Sequence, residues 1–212
     1  MAILKAPLLS LGASGALGKT LVYFGWKGLD VVREYVVPAN PKTGAQTTQR
    51  GFLADAVAKI HEAMALAANG IDALDTAAYA LWASTEKSPR TWFNQACMNW
   101  IDVEVAGAEP CIFSDGECLD PDKTDALLSI YLNEKSATDM LAGTFYYGTS
   151  PTALINSIAG VMEAGVKFDL TDAAGIAGLV AGVKYFWQFR ADAADPCEGA
   201  KSGIYYFVAA TV

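Results

Sequence analysis

Between residues 17 and 37 the apolar positions come in short β-branched and aromatic runs. Residues 17–23 and 29–37 read as two strands joined through Gly25-Trp26-Lys27-Gly28, where a glycine at either edge permits a hairpin connection. From residue 45 the spacing lengthens. Phe52, Val57, Ile60, Met64 and Leu66 recur near the helical period in an alanine-rich background. Asn69-Gly70 is a stop signal, and Asp72 or Asp75 can cap a second helix in which Leu74, Tyr79 and Trp82 face one way. Ser88-Pro89 opens a third, with Pro89 at the first helical position and Trp92, Phe93, Ala96, Met98 and Trp100 as its apolar face. After residue 125 the pattern returns to short extended runs: 126–133, 143–152, 166–170, 182–191 and 202–209, separated by turn residues. This order predicts an α+β protein. A β arm and elbow span 1–44, a helical domain 45–108, an acidic linker 109–125 and a β-sandwich 126–212.

The arm meets the helices at an elbow, residues 36–50. Pro38 and Pro41 cannot donate to a ladder, and each pushes the preceding residue toward an extended conformation, so the second strand must stop there. Asn40 starts a turn, Thr43 or Thr47 can cap the first helix, and Gln46, Gln49 and Arg50 come just past the bend. A two-stranded arm is marginal in water by itself. Tyr23, Phe24 and Trp26 are a large aromatic payload for it, and predict packing at least in part on a neighbouring subunit. Arg50 is expected to brace carbonyls at the elbow.

Composition narrows the classes. With 53% hydrophobic residues over 212 positions, a sizeable core is expected and disorder is not. A net charge of −8 argues against a general nucleic-acid binder, which needs a basic footprint. The apolar runs are broken by Gly or charge, so no membrane span is expected, and the Pro-broken start makes a poor signal peptide. Four cysteines, Cys97, Cys111, Cys118 and Cys197, allow Cys111–Cys118 and Cys97–Cys197 disulfides or four thiols. With a single His and no Cys-x-x-Cys, zinc sites of the usual type are excluded.

The chemistry-bearing candidates are few. Ala13 to Thr20 ends in Gly-Lys-Thr and loosely matches a phosphate loop, but that chemistry needs a helix starting at Lys19, and residues 21–28 read as strand and turn. His61 beside Glu62 has no Ser or Cys partner at a motif position, and reads as an ordinary surface or hydrogen-bonded histidine. Asp115, Glu117, Asp120, Asp122 and Asp125 can gather calcium, yet they lack the alternation and terminal Glu of a helix–loop–helix site, and a solvated acidic linker is the simpler reading. Asp102 with Glu104 points apart on a helix, and Asp115 with Glu117 has no fixed geometry, so neither makes a hydrolase pair. No catalytic residue, cofactor or small-molecule substrate is expected.

Two stretches resemble known families. The elbow Pro-x-Asn-Pro-x-Thr-x-x-Gln-x-x-x-Arg, with the Gly-rich arm before it, resembles a group of small virion structural proteins of tailed phages and prophages. The matching residues are Gly15, Leu17, Gly18, Val22, Gly28, Val32, Arg33, Pro38, Asn40, Pro41, Thr43, Gln46 and Arg50, within about the first quarter of the chain. The C-terminal part resembles fibronectin type III domains, through Tyr147-Gly148-Thr149-Ser150-Pro151, residues 179–191 and the closing run Ser202-Gly203-Ile204-Tyr205. That resemblance implies a binding or spacing module of immunoglobulin-like type with Tyr185 as its corner tyrosine. The usual early-strand Trp is absent, and residues 153–163 can form a short helix.

Together these imply a non-enzymatic, self-assembling virion protein: a tail, connector or capsid-decorating component made in the host cytoplasm. Its partners would be copies of itself and other virion proteins, with no nucleic acid and no membrane. The expected assembly interface is Tyr23, Phe24, Trp26, Arg33, Pro38, Asn40, Pro41, Gln46 and Arg50. An arm with free backbone groups invites strand addition, and head-to-tail contacts generate rings or filaments. The alternative is a cellular or extracellular filament assembled by strand exchange.

Overall fold

A computed structural model of the chain describes residues 2–3, 14–37, 42–121, 125–134, 140–163, 167–170 and 175–210. The protein is α+β, and it divides into two compact units, Met1–Thr43 and Gly44–Val212.

The first unit is a four-stranded antiparallel sheet, β1 (Ala2–Ile3), β2 (Gly15–Leu17), β3 (Leu21–Trp26) and β4 (Leu29–Glu34), in the order β1-β4-β3-β2. The expected strand over 17–23 is in fact broken by a turn at Gly18-Lys19-Thr20, where the Thr20 amide and hydroxyl both donate to the Leu17 carbonyl. Trp26 belongs to β3 and pairs with Leu29, so the β3–β4 turn is only Lys27-Gly28. Both turn residues have positive φ, 50° and 79°, the backbone of a type I′ turn whose twist matches the strands. The second arm strand ends at Glu34, short of Val37. Among residues 14–37 Val31 alone is buried, while Leu17, Leu21, Trp26, Leu29, Val36 and Val37 are exposed.

The second unit opens with three helices, α1 (Gly44–Ala65), α2 (Ala73–Thr85) and α3 (Trp92–Ala106). Asp72 is the N-cap of α2 and Asp75 completes a capping box with it, so the two residues expected as alternatives act together. The third helix starts later than Pro89, because the Thr91 side chain accepts from the Asn94 amide and supplies the cap. The strands β5 (Cys111–Pro121), β6 (Asp125–Glu134), β9 (Val161–Glu163), β10 (Lys167–Asp169) and β11 (Ile176–Ala177) form one antiparallel sheet; β6 lies between β5 and β10, with β9 beyond β10 and β11 on the start of β6. The strands β7 (Gly143–Gly148), β8 (Asn156–Ala159), β12 (Lys184–Ala191) and β13 (Tyr205–Val208) form the other, in the order β13-β12-β7-β8.

Two expectations are overturned. The acidic stretch 109–125 is no linker: its residues Cys111–Pro121 are β5, paired along β6 from Cys111↔Glu134 to Pro121↔Ala126. The helices therefore share a unit with the sheets instead of forming a separate domain. Alternation explains the strand. Ile112 joins the helical core with Ile60, Tyr79, Trp82 and Trp100, while Phe113 joins the core between the sheets with Leu128, Ile130, Trp187 and Phe189. The second correction is the short helix expected over 153–163. Residues 156–159 and 161–163 are β8 and β9, and the Gly160 amide between them donates to the Gly143 carbonyl. Val166, the expected start of β10, lies outside the described residues.

The sheet core is built on Phe189, whose ring meets Phe113, Phe145 and Phe168 at centroid distances of 5.2, 4.7 and 4.7 Å. All four cysteines are thiols, not disulfide halves. Cys111 and Cys118 sit seven residues apart on the one strand β5, roughly 20 Å at strand rise, beyond the reach of a disulfide.

Candidate functional site

The N-terminus of α2 is fastened to the sheets through one carboxylate. Asp75 is fully buried. Its Oδ1 accepts from the Tyr205 hydroxyl at 2.6 Å and the Gly116 amide at 3.4 Å; its Oδ2 accepts from the Asp72 and Asp115 amides at 3.0 Å each. Asp115 and Gly116 together oppose Ile130 in a β-bulge between the pairs Ser114↔Tyr131 and Glu117↔Ser129. Asp115 is in the left-handed region at φ 51°, which turns two successive amides toward the carboxylate. Tyr205 stacks on Trp187 at 4.6 Å, and one turn along α2 the Tyr79 hydroxyl donates to the Phe113 carbonyl at 3.0 Å and accepts from its amide. Burial first, then the nearby Asp75, pushes both phenols well above the ordinary tyrosine range, so they remain neutral donors.

Beside this fastening lies a cleft of about 840 Å³, walled by α2, β5 and the β12–β13 edge. Its lining is mainly apolar: Leu74 and Leu81 on one side, Leu119 on another, Phe186 and Tyr206 on the third. Leu74, Leu119 and Tyr206 are each more than half exposed, at 65%, 54% and 57%. The Lys184 ammonium lies 3.5 Å from the Tyr206 ring centroid, a cation–π contact on the rim. Glu117 contributes the opposite charge to the lining.

Burial, together with the carboxylates of Glu117, Asp75 and Asp72, holds the Asp115 carboxyl above its ordinary value, against an opposing pull from Lys167. A raised folded-state pKa means that the folded chain binds this proton more tightly than the unfolded chain. The contribution is therefore full below the unfolded value, near 3.8, and is lost as pH rises through the folded value. Asp115→Asn keeps a side chain tolerant of positive φ and removes the repulsion. It is expected to stabilise the protein at about pH 7 by on the order of 0.5 kcal/mol, the scale of a screened surface pair, and the gain should vanish at about pH 3 in paired urea titrations.

The residues singled out in the sequence fall in different places. Tyr23, Phe24 and Trp26 lie on β3, and the Arg33 guanidinium of β4 sits 5.4 Å from the Phe24 ring. Gln46 and Arg50 are exposed on the first turns of α1, in the other unit. Pro38, Asn40 and Pro41 lie outside the described residues, as do Ala13 and Asp122. Gly18-Lys19-Thr20 is a turn leading into β3, so the helix that phosphate binding requires is replaced by a strand. His61 is exposed, 5.7 Å from the Phe93 ring. Asp115 and Glu117 lie on β5. Among the described residues no group of three or more metal-ligating side chains converges, and no helix is long and apolar enough to cross a membrane.

Sequence reasoning missed the cleft and the Asp75–Tyr205 bond. Asp72 and Asp75 read as alternative caps and Ser114-Asp115-Gly116 as turn residues, but nothing local joins them to a tyrosine 130 positions away. No protein-family model matches the chain, and no curated protein and no solved structure proved similar to it.

Proposed function

We propose that this chain is a non-enzymatic, self-assembling structural protein of a phage virion, a tail, connector or capsid-decorating component, that joins copies of itself through its N-terminal sheet. The observation that carries the reading is how little of the described sheet is buried. Among residues 14–37 one buried valine, Val31, stands against exposed Leu17, Leu21, Trp26, Leu29, Val36 and Val37. So small a sheet cannot offset its own ordering entropy, and burial against another subunit supplies what it lacks. The elbow motif with its Gly-rich arm favours a virion over a cellular filament. Copies of itself and other virion proteins are the partners.

The second unit acts in this reading as a fibronectin type III-like spacer or binding module. Its support is the strand order, β5-β6-β10 in one sheet and β8-β7-β12-β13 in the other: the chain lays β5 and β6 in the first sheet, β7 and β8 in the second, returns to the first for β10 and ends in the second with β12 and β13, as in that fold. The Tyr185 hydroxyl, at the start of β12, accepts from the Val180 amide at 3.0 Å, as a corner tyrosine does.

Removal of residues 1–43 tests the proposal, because both hydrophobic clusters lie within the remainder. Light scattering and negative-stain micrographs of the full chain should show rings, tubes or other large assemblies. The truncated chain should be folded by circular dichroism and monomeric. Assemblies of unchanged size from the truncated chain would sink the reading.

A further inference from the structure

We propose that the β3–β4 hairpin tip, Trp26-Lys27-Gly28-Leu29, of one copy seats in the cleft between α2 and β13 of a second copy; this rests on the self-assembly reading and names its socket. The tip is a formed wedge. Trp26 and Leu29 pair across a two-residue turn, are 54% and 48% exposed, and the Lys27 ammonium lies 5.9 Å from the indole centroid. It offers an apolar plug with a cation at its end. The cleft offers an apolar trough whose wall holds Glu117, with Asp115 two positions before it on the same strand; the lining cation, Lys184, is turned onto the Tyr206 ring. Its volume, about 840 Å³, is within the range of true binding pockets, roughly 300–1,000 Å³, and ample for an indole and an isobutyl group.

Charge favours the same partner. Residues 1–43 hold five Lys and Arg against two Asp and Glu, a net of +3. Residues 44–212 hold the other ten against twenty-one, a net of −11. A basic plug unit and a strongly acidic socket unit on one chain attract between copies and steer their encounter. Plug and socket are different surfaces, so the contact is heterologous and propagates from copy to copy.

The test uses the full chain. Trp26→p-benzoylphenylalanine is introduced, ¹⁵N-labelled and unlabelled protein are mixed, and irradiated cross-links are mapped by mass spectrometry. Cross-links of mixed isotope from position 26 to peptides holding Leu74, Leu119 or Tyr206 are expected. Tyr206→Glu and Leu119→Glu, both at exposed positions, should each weaken assembly by at least about tenfold with the thermal midpoint unchanged. Cross-links within one isotope class only, or to other surfaces, overturn the proposal. So does a retained non-protein mass that disappears with Tyr206→Glu, which would assign the cleft to a small apolar ligand. Should Trp26→Ala break assembly while both cleft variants assemble as wild type, the socket is wrong and the self-assembly reading stands. A full chain that is monomeric at every concentration sinks both.

Discussion

Asp75→Ala is expected to destabilise the second unit by about 3 kcal/mol or more, read as a fall in the urea midpoint. The side chain has no exposure, so water cannot replace it. Its removal orphans the Tyr205 hydroxyl and the Asp72, Asp115 and Gly116 amides at once. The buried Tyr205 hydroxyl left unmade costs about 1–3 kcal/mol, and the three part-buried amides, which water reaches in part, add less each. The capping box is worth about 1 kcal/mol within this total. Asp75→Asn is the sharper variant. It keeps the volume, and with its NH₂ turned to the Tyr205 hydroxyl, which can then accept, it opposes only the Gly116 amide, so it should lose less than alanine. Tyr205→Phe removes one donor and leaves the amides served, with an expected loss of about 1–2 kcal/mol. If Asp75→Ala falls within about 0.5 kcal/mol of wild type, the carboxylate is not what holds α2 to the sheets.

The same residue shows how far sequence pattern reaches. Helical spacing found α1, α2 and α3, though Met64, Leu66, Leu74 and Met98 of the expected apolar faces are exposed and α1 buries Ala56, Ile60 and Ala63; short extended runs between turn residues found β6, β7, β10, β12 and β13. The strand β5 escaped because its middle is Ser114-Asp115-Gly116-Glu117, a turn signal by composition. There the polar residues serve a bulge: Ser114 donates to the Asn69 carbonyl at 2.6 Å, and the Asp115 and Gly116 amides serve Asp75. Tertiary partners outvoted local propensity. The strands β8 and β9 escaped for a simpler reason: they are short, half-exposed strands that borrow order from β7 and β10. In the arm, the aromatic content was legible but the extra hairpin was not, since Gly18-Lys19-Thr20 reads equally as the end of a phosphate loop. The cleft left no trace at all. Its walls come from α2, β5, β12 and β13, and a concavity between distant segments has no period.

The second large effect is expected at Gly203. A β-carbon there would lie 2.7 Å from the backbone carbon of Ala78, from its side chain and from the Tyr79 nitrogen. Main chain is meeting main chain, so no rotamer change can make room. One residue on, the Ile204 amide donates to the Ala78 carbonyl at 3.0 Å, which fixes how closely the strand entrance approaches the helix. Gly203→Ala must lift α2 from β13, stretching that bond and the Asp75–Tyr205 bond together. An expected loss of about 3 kcal/mol sits at the upper end of ordinary overpacking, because two buried polar contacts loosen with the packing. Gly116→Ala works on the other side of the same joint. Its β-carbon would overlap the Tyr205 ring, which the Asp75 bond and the Trp187 stack hold in place. Ala78→Gly should fail to rescue Gly203→Ala, since it removes only the side-chain clash and leaves both backbone atoms in the way. Tyr205→Ala, by contrast, should absorb most of the Gly116→Ala penalty, because the obstructing ring is gone. Full rescue of Gly203→Ala by Ala78→Gly would show that the helix yields, and that the close approach does not set the joint.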